Sequence, residues 1–396
     1  MSTTPLATIG WSANPDAELA GQAAARSAWQ QLAPHRPVCG IVFGSSWFDQ
    51  TRLLEGVKHV FQQVPVVGGS TAGEITPEGP KSHSCVVLAL SDEQIAVSLG
   101  VGTGVRADPR LAGHQAAQQA VRRFTGKTRR GLILFGDGLL IGYAEVLRGV
   151  QEVLGTSSLV TGGLMADDLR FAHTYQYADD TVLNESVVGL LLGDGCTIGV
   201  GVEHGFAPIS KPRLVTRAHG HLLQELDGHP ASSVYEEYFG ASLFESLQQA
   251  ALTRRLIAYP LGIQMDAGED YLLRNIMAFE PNGSLVCTGE VTEGAWVQLM
   301  IGSKELALQA ASSAARQAVQ HLSKVWCLIV FDSVARRKLL GREAALELAR
   351  IREVVGADVP IVGCYTYGEQ APLGTPYPYG RSSVQTGACL IVAIGS

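Results

Sequence analysis

The chain repeats itself, and this constrains its fold more than any other property. Three stretches share one pattern: Val64-Pro-Val-Val-Gly-Gly-Ser-Thr-Ala-Gly-Glu74, Ser158-Leu-Val-Thr-Gly-Gly-Leu-Met-Ala-Asp-Asp168 and Val359-Pro-Ile-Val-Gly-Cys-Tyr-Thr-Tyr-Gly-Glu369. Each is a short β-branched run, then Gly-Gly or Gly-Cys, then small or polar residues, then an acid. Such apolar runs read as buried strands. The glycines after them call for positive φ or for a backbone that something approaches closely.

The likeness extends upstream. β-rich runs at Cys39–Phe43, Gly131–Phe135 and Trp326–Phe331 precede the motifs, with helical patterns at Thr51–Gln62, Tyr143–Val153 and Arg342–Val355 in between. Earlier still, strands ending in glycine (Leu6–Gly10, Ile95–Gly100, Ala295–Gly302) lead into the alanine-rich helical stretches Pro15–Leu32, Pro109–Arg123 and Ser303–Leu322. The spacing from each of these glycines to its motif glycine (Gly68, Gly162, Gly363) is nearly constant, which marks a repeat. Three units are expected, near 7–90, 94–192 and 295–395. Each reads strand, helix, strand, helix, strand, glycine turn, strand. The fold class is therefore α/β: mixed sheets built from a pseudo-threefold repeat, arranged as two packed halves. Hairpins are expected around the turns Ser91-Asp-Glu-Gln94, Gly193-Asp-Gly195 and Pro281-Asn-Gly283. Segment 203–294 breaks the repeat, and the halves are expected to divide as 1–240 and 241–396.

Composition narrows the class further. Of 396 residues 46% are hydrophobic, which excludes a disordered chain, and 45 are glycine. Only 17% are charged, below the usual quarter. Apolar runs such as Cys85–Leu90 are far shorter than the roughly 18 residues of a membrane helix, and the start Met1-Ser-Thr-Thr-Pro5 lacks a secretory pattern. A net charge of −7 argues against a nucleic-acid partner. The seven cysteines include no C-x-x-C pair. Cys39, Cys85, Cys327 and Cys389 lie in strand-like runs, as buried reduced thiols of a cytoplasmic protein.

Taken together, Val67-Gly-Gly-Ser-Thr-Ala-Gly-Glu74, Gly162-Gly163 with Asp167, His204-Gly-Phe206, Val215-Thr216 with Leu226-Asp-Gly228 and Pro230-Ala231, and Val362-Gly-Cys-Tyr-Thr-Tyr-Gly-Glu369 resemble the FIST family. The resemblance covers roughly 30–390, an N-terminal FIST part in 1–240 and a C-terminal one in 241–396. It implies an intracellular small-molecule sensor of bacterial signal transduction, with amino acids among the ligands proposed. Free-standing members of similar length include proteins regarded as haem-based nitric-oxide sensors that regulate a histidine kinase. With the third unit ending at Ser396, the expected output runs through a separate kinase or cyclase.

The candidate ligand residues are Gly68, Gly69, Ser70, Thr71 and Glu74, with Gly163, Asp167, Cys364, Tyr365, Tyr367 and Glu369 at the corresponding turns. Ligands of α/β folds favour the carboxyl ends of strands. Two readings stand side by side: a pocket, or tight turns copied by duplication. No phosphate-binding glycine motif is present. For haem, His204 is the candidate axial ligand and His173 the alternative, and covalent attachment is excluded because C-x-x-C-H is absent. His219, His221 and His229 with Asp227 are a possible metal set, set against a polar surface stretch. An enzyme would use Cys364 as a nucleophile, or a carboxylate.

Overall fold

The structure is a computed structural model and describes residues 6–242, 244–245, 256–265, 270–372 and 382–396. Unit 1 runs β1 (Ala7–Ser12), α1 (Ala17–Leu32), β2 (Cys39–Ser45), α2 (Gln50–Phe61), β3 (Val66–Thr71), β4 (Glu74–Thr76), β5 (Gly79–Lys81) and β6 (Cys85–Leu90). Unit 2 repeats this order as β7 (Ile95–Thr103), α3 (Pro109–Arg123), β8 (Arg129–Asp137), α4 (Ala144–Leu154), β9 (Val160–Met165), β10 (Gln176–Ala178), β11 (Thr181–Leu183) and β12 (Ser186–Asp194). Aspartates cap the helix starts: Asp16, Asp49 and Asp108 accept the orphan N–H of Leu19, Arg52 and Leu111, and Pro109 sits at the first turn of α3.

Unit 3 differs from expectation. Its first strand is β13 (Thr197–His204), which pairs along its whole length with the last strand of the unit. The chain then leaves for a separate antiparallel sheet before returning. That insert contains β14 (Phe206–Pro208), β15 (Arg213–His219), β16 (Leu222–Leu226), β17 (His229–Pro230), α5 (Ser233–Phe239), β18 (Leu261–Gln264), β19 (Tyr271–Arg274), β20 (Ile276–Phe279), β21 (Leu285–Cys287) and β22 (Trp296–Gly302). Residues 240 and 241 fall within it. Unit 3 resumes as α6 (Lys304–Val319), β23 (Val325–Ser333), α7 (Val334–Leu340), α8 (Ala344–Val355), β24 (Ile361–Thr366), β25 (Gly368–Pro372), β26 (Ser382–Gln385) and β27 (Ala388–Gly395).

The first-strand glycines show why β13 belongs to the repeat and β22 does not. In each unit the alanine-rich helix lies directly on the first strand. A Cβ added to Gly100 would stand 1.8 Å from the Ala116 carbonyl oxygen, and one on Gly201 would stand 1.8 Å from that of Ala314. Gly302 meets the Phe206 and Leu339 side chains instead.

The units form three six-stranded mixed sheets, in the orders β1-β6-β2-β3-β10-β11, β7-β12-β8-β9-β25-β26 and β13-β27-β23-β24-β4-β5. Two strands of each sheet come from another unit. The hairpin after each glycine turn pairs with the glycine strand of a neighbour: Tyr177 opposite Gly68, Glu369 opposite Gly163, and Glu74 opposite Cys364. The three hairpins close a ring. At its centre Phe43, Phe135 and Phe331, one from each central strand, are buried with ring centroids 5.8 to 6.2 Å apart.

Two of the expected hairpins are not formed. β6 pairs with β1 and β2, and β12 with β7 and β8, so the turns at Ser91 and Gly193 carry the chain from one sheet to the next. The hairpin at Pro281-Asn-Gly283 is present, with Phe279 opposite Leu285. No helix among the described residues is long and apolar enough to cross a membrane. All seven cysteines are free and buried.

Candidate functional site

The glycine turns are buried structure. Gly68 and Gly162 both have φ of +144°, and a Cβ there would press on the carbonyl oxygens of Val42 and Leu134 at 1.8 and 2.0 Å. What approaches these glycines is the neighbouring parallel strand, at positions closed to L side chains. The acids have internal partners. Glu74 accepts from Thr71 Oγ1 at 2.5 Å, Ser84 Oγ at 2.6 Å and the Ser84 N–H at 3.2 Å. Glu369 accepts from Thr366 Oγ1 at 2.7 Å and the Ala388 N–H at 3.2 Å. Both are fully buried, and loss of hydration pushes their carboxyls up to about 7 and about 8.

The second unit breaks this pattern. The residue in register with Glu74 and Glu369 is Gln176, not Asp167 or Asp168. The chain between β9 and β10 has become a loop folded around Asp167. That carboxylate accepts the N–H groups of Phe171, Ala172 and His173 at 3.0, 2.7 and 3.0 Å, and the hydroxyl of Tyr367. Asp168, Leu169 and Phe171 all hold positive φ, between 54° and 62°. Three non-glycine residues so placed mark a loop held by its surroundings.

This loop decides the fate of one of three equivalent junctions, where the start of each unit's second helical segment meets the turn of another unit. At the first, Ser45 and Ser46 close on Asp168 through hydrogen bonds of 3.1 and 2.8 Å. At the third, Arg337 fills the gap. It donates to the Ala72 carbonyl and to Ser82 Oγ, and lies 4.8 Å over the Tyr365 ring. The second, between Gly138–Tyr143 of unit 2 and the Tyr367 turn of unit 3, stays open as a cleft of about 620 Å³ roofed by the insert. This size suits an organic small molecule.

Its walls are apolar at Leu140, Ile141, Phe171, Ile276, Met277 and Val384. Phe171 stacks on Tyr367, with ring centroids 4.9 Å apart and planes 18° apart, and is 46% exposed. Polar groups are few: Arg106 stands among the lining residues, with Tyr143, Asn275, Thr288 and Thr386. Tyr143 Oη is buried against the Gln370 carboxamide, and Asn275 Oδ1 is buried as well.

Of the residues expected to bind a ligand, Tyr367 lines this cleft. Gly68, Gly69, Ser70, Thr71, Glu74, Gly163, Asp167, Cys364, Tyr365 and Glu369 stand outside its lining, in or beside the strands behind it. Asp167 contributes indirectly, by shaping the Phe171 loop. Cys364 is fully buried in β24. Burial, with Glu74, Asp332 and Glu369 nearby, raises its thiol well above the usual range, so it holds no thiolate at neutral pH.

The histidines do not assemble a cofactor site. His204 Nδ1 accepts the N–H of Phe206 at 3.3 Å, the ring also hydrogen-bonds the backbone of Tyr271, and burial lowers its pKa to about 4. The ring is thus committed to holding the insert at the end of β13, which does not fit an axial haem ligand. His173 is exposed. His219 ends β15 and His221 follows the Gly220 turn, so the two do not share a strand face, while Asp227 is bound to Arg213 and the Leu214 N–H.

Among the described residues the one cluster of three metal-ligating groups is Asp332, Glu347 and Cys389. Arg336 already supplies its positive charge: fully buried, it donates to Asp332 Oδ1 at 2.9 Å and to Glu347, tying α7 and α8 to β23.

The cleft residues leave no trace in the sequence motifs because apolar loop positions carry no spacing signal. The one available clue was the motif of unit 2, where Leu-Met replaces Ser-Thr and two aspartates replace Gly-Glu.

Similarity to known proteins extends over most of the chain. An uncharacterized protein of Mycobacterium tuberculosis is 26% identical over 389 residues, covering 92% of this chain and 94% of its own. An uncharacterized protein of Methanocaldococcus jannaschii is 29% identical over 283 residues, 66% of this chain and 53% of its own. Cyanuric acid hydrolase from A. caulinodans aligns over 99% of both chains at 10% identity, with a TM-score of 0.35. The FIST N domain matches residues 38–229 and the FIST C domain residues 231–372. FIST domains are sensory domains of signalling proteins, and on these two matches, which together span most of its length, the chain belongs to the FIST family.

Proposed function

We propose that this chain senses a small molecule bound in the cleft between unit 2, the Tyr367 turn and the insert, and passes the signal to a separate partner, a histidine kinase or a cyclase, in the cytoplasm. The observation that carries the reading is the asymmetry of the three junctions. Duplication alone would leave three alike. Here hydrogen bonds close one, an arginine plugs another, and the third stays open where the insert covers it. A ligand seated there touches three parts of the molecule at once, so it can favour one arrangement of insert and repeat over another. Only such a difference in affinity between two states can drive a switch. Seven unpaired thiols fit a reducing compartment. The glycine motifs support the site from behind rather than touching the ligand. Haem has weaker support, since His204 is engaged by backbone.

Native mass spectrometry of the purified full chain tests this. A retained organic mass is expected, and it should disappear in the double variant Ile141→Asp/Met277→Asp. Both residues are exposed at the cleft (51% and 39%), so this variant keeps its core. A retained mass that survives the double variant, or a chain empty under every growth condition, would overturn the proposal. A retained haem would turn the reading to the gas sensor.

A further inference from the structure

Taking the cleft as the sensory site, we infer that its ligand is an uncharged, flat aromatic molecule. The inference rests on that reading and adds the chemical class.

Charge comes first. Arg106 is the one ionic side chain among the described residues of the lining, and it is already matched: its guanidinium lies 3.2 Å from Glu185 and 3.9 Å from Asp137. Asp137 is itself satisfied by Thr174 Oγ1 at 2.7 Å and the Leu139 N–H at 2.9 Å. A zwitterionic amino acid needs a partner for each of its charges, and burying an unpaired charge is costly. The apolar walls therefore select a neutral molecule.

Shape comes next. Tyr367 covers one face of the Phe171 ring, while nearly half of the Phe171 surface stays open at the cleft. A ring covered on one side continues naturally into a stack on the other. Tyr367 is itself fixed, accepting the Leu169 N–H at 2.8 Å and donating to Asp167, so the platform is rigid.

The polar groups of the wall are turned inward: Tyr143 is 3% exposed with its hydroxyl against the Gln370 carboxamide, and Asn275 Oδ1 is buried as well, so they present no charge or open donor to the cleft.

Two fluorescent probes sharing one skeleton test the class on the intact chain: N-phenylnaphthylamine, uncharged with a bridging N–H, and anilinonaphthalene sulfonate, its anionic counterpart. The uncharged probe is expected to saturate and to bind at least about tenfold tighter than the sulfonate. Phe171→Ala, at a half-exposed position, should weaken it about fivefold or more. If the sulfonate binds as tightly and Phe171→Ala weakens both, the neutral class is overturned and the cleft reading stands. If neither probe saturates while the retained mass depends on Ile141 and Met277, the class again fails alone. If Phe171→Ala and Ile141→Asp/Met277→Asp leave both probes unaffected, this inference and the cleft reading fail together.

Discussion

At the residue scale, the two Thr-x-x-Glu endings are structural clasps, and their chemistry makes them pH-sensitive. Glu74 and Glu369 ionise near 4.5 when unfolded and at about 7 and about 8 when buried. The folded chain therefore holds protons that the unfolded chain has released. Their stabilisation is complete below the unfolded pKa and is lost as pH rises through 7 and 8. Each group contributes at most about 1.4 kcal/mol per pH unit while it titrates. His204 works in the opposite sense. Lowered to about 4, it contributes stability above its unfolded value of 6.5 that is lost as the medium acidifies. Above pH 6.5 His204 adds no slope and the glutamates dominate, so denaturant melts should show stability falling up to about pH 8 and levelling off beyond it. Glu74→Gln with Glu369→Gln should flatten the fall, because a neutral amide has nothing to release. An equally steep fall in the double variant would mean that other groups carry it. The sequence showed these acids as a repeated feature but did not show that Thr71, Ser84 and Thr366 would consume their hydrogen-bonding capacity. Inward and outward carboxylates look alike in a string of residues.

At the scale of elements, the glycine strands and alanine helices were legible, and so was the order of strand, helix and turn in units 1 and 2. The physical basis is that a helix can lie directly on a strand only where neither presents bulk, so small residues repeat wherever that packing repeats. The start of unit 3 departs from the sequence expectation for a physical reason. β13 and β22 are both apolar strands that contain glycine, and the insert places β22, which ends in Gly302, next to the alanine helix in sequence. Pairing separates them, since β13 is bonded along its length to β27 and β22 to the insert's β18. Gly201→Ala should therefore cost about 1 to 3 kcal/mol or more, as an overpacked site with no flexible neighbour, because its Cβ would meet the backbone of Ala314. Gly302→Ala, whose nearest neighbours are side chains, should cost clearly less. Equal losses in chemical denaturation would show that close backbone packing does not distinguish the two strands. The cleft loops were illegible for the converse reason. Their positions follow from how three units meet, and no local period records a meeting of distant segments.

At the scale of the whole molecule, the ring of exchanged hairpins makes the three repeats one body, while the insert is attached more lightly. Every six-stranded sheet needs strands from a neighbour, and the three phenylalanines at the centre bind the units through a shared apolar contact. The insert meets unit 2 through Arg148, whose Nη1 and Nη2 donate to Glu290 at 3.0 and 2.5 Å. Both side chains are partly exposed, 28% and 35%, so the pair contributes about 1 kcal/mol or less. A contact of that strength can open and close in thermal motion beside a ring that does not. The second attachment is deeper: buried Arg274 donates to the carbonyl oxygens of Glu290 and Val384 at 2.9 and 3.2 Å, joining the insert to the β26 wall of the cleft. The cleft thus has a firm side and a releasable side. Arg148→Ala should lower global stability only slightly, yet raise amide hydrogen exchange in β20 and β21 several-fold and speed release of the uncharged probe. The central phenylalanine strands should exchange as slowly as before. If exchange in β20 and β21 is unchanged, the Arg148 side is not the releasable one. If it rises equally in β2, β8 and β23, insert and ring open together, and the signal must then pass through the repeat itself.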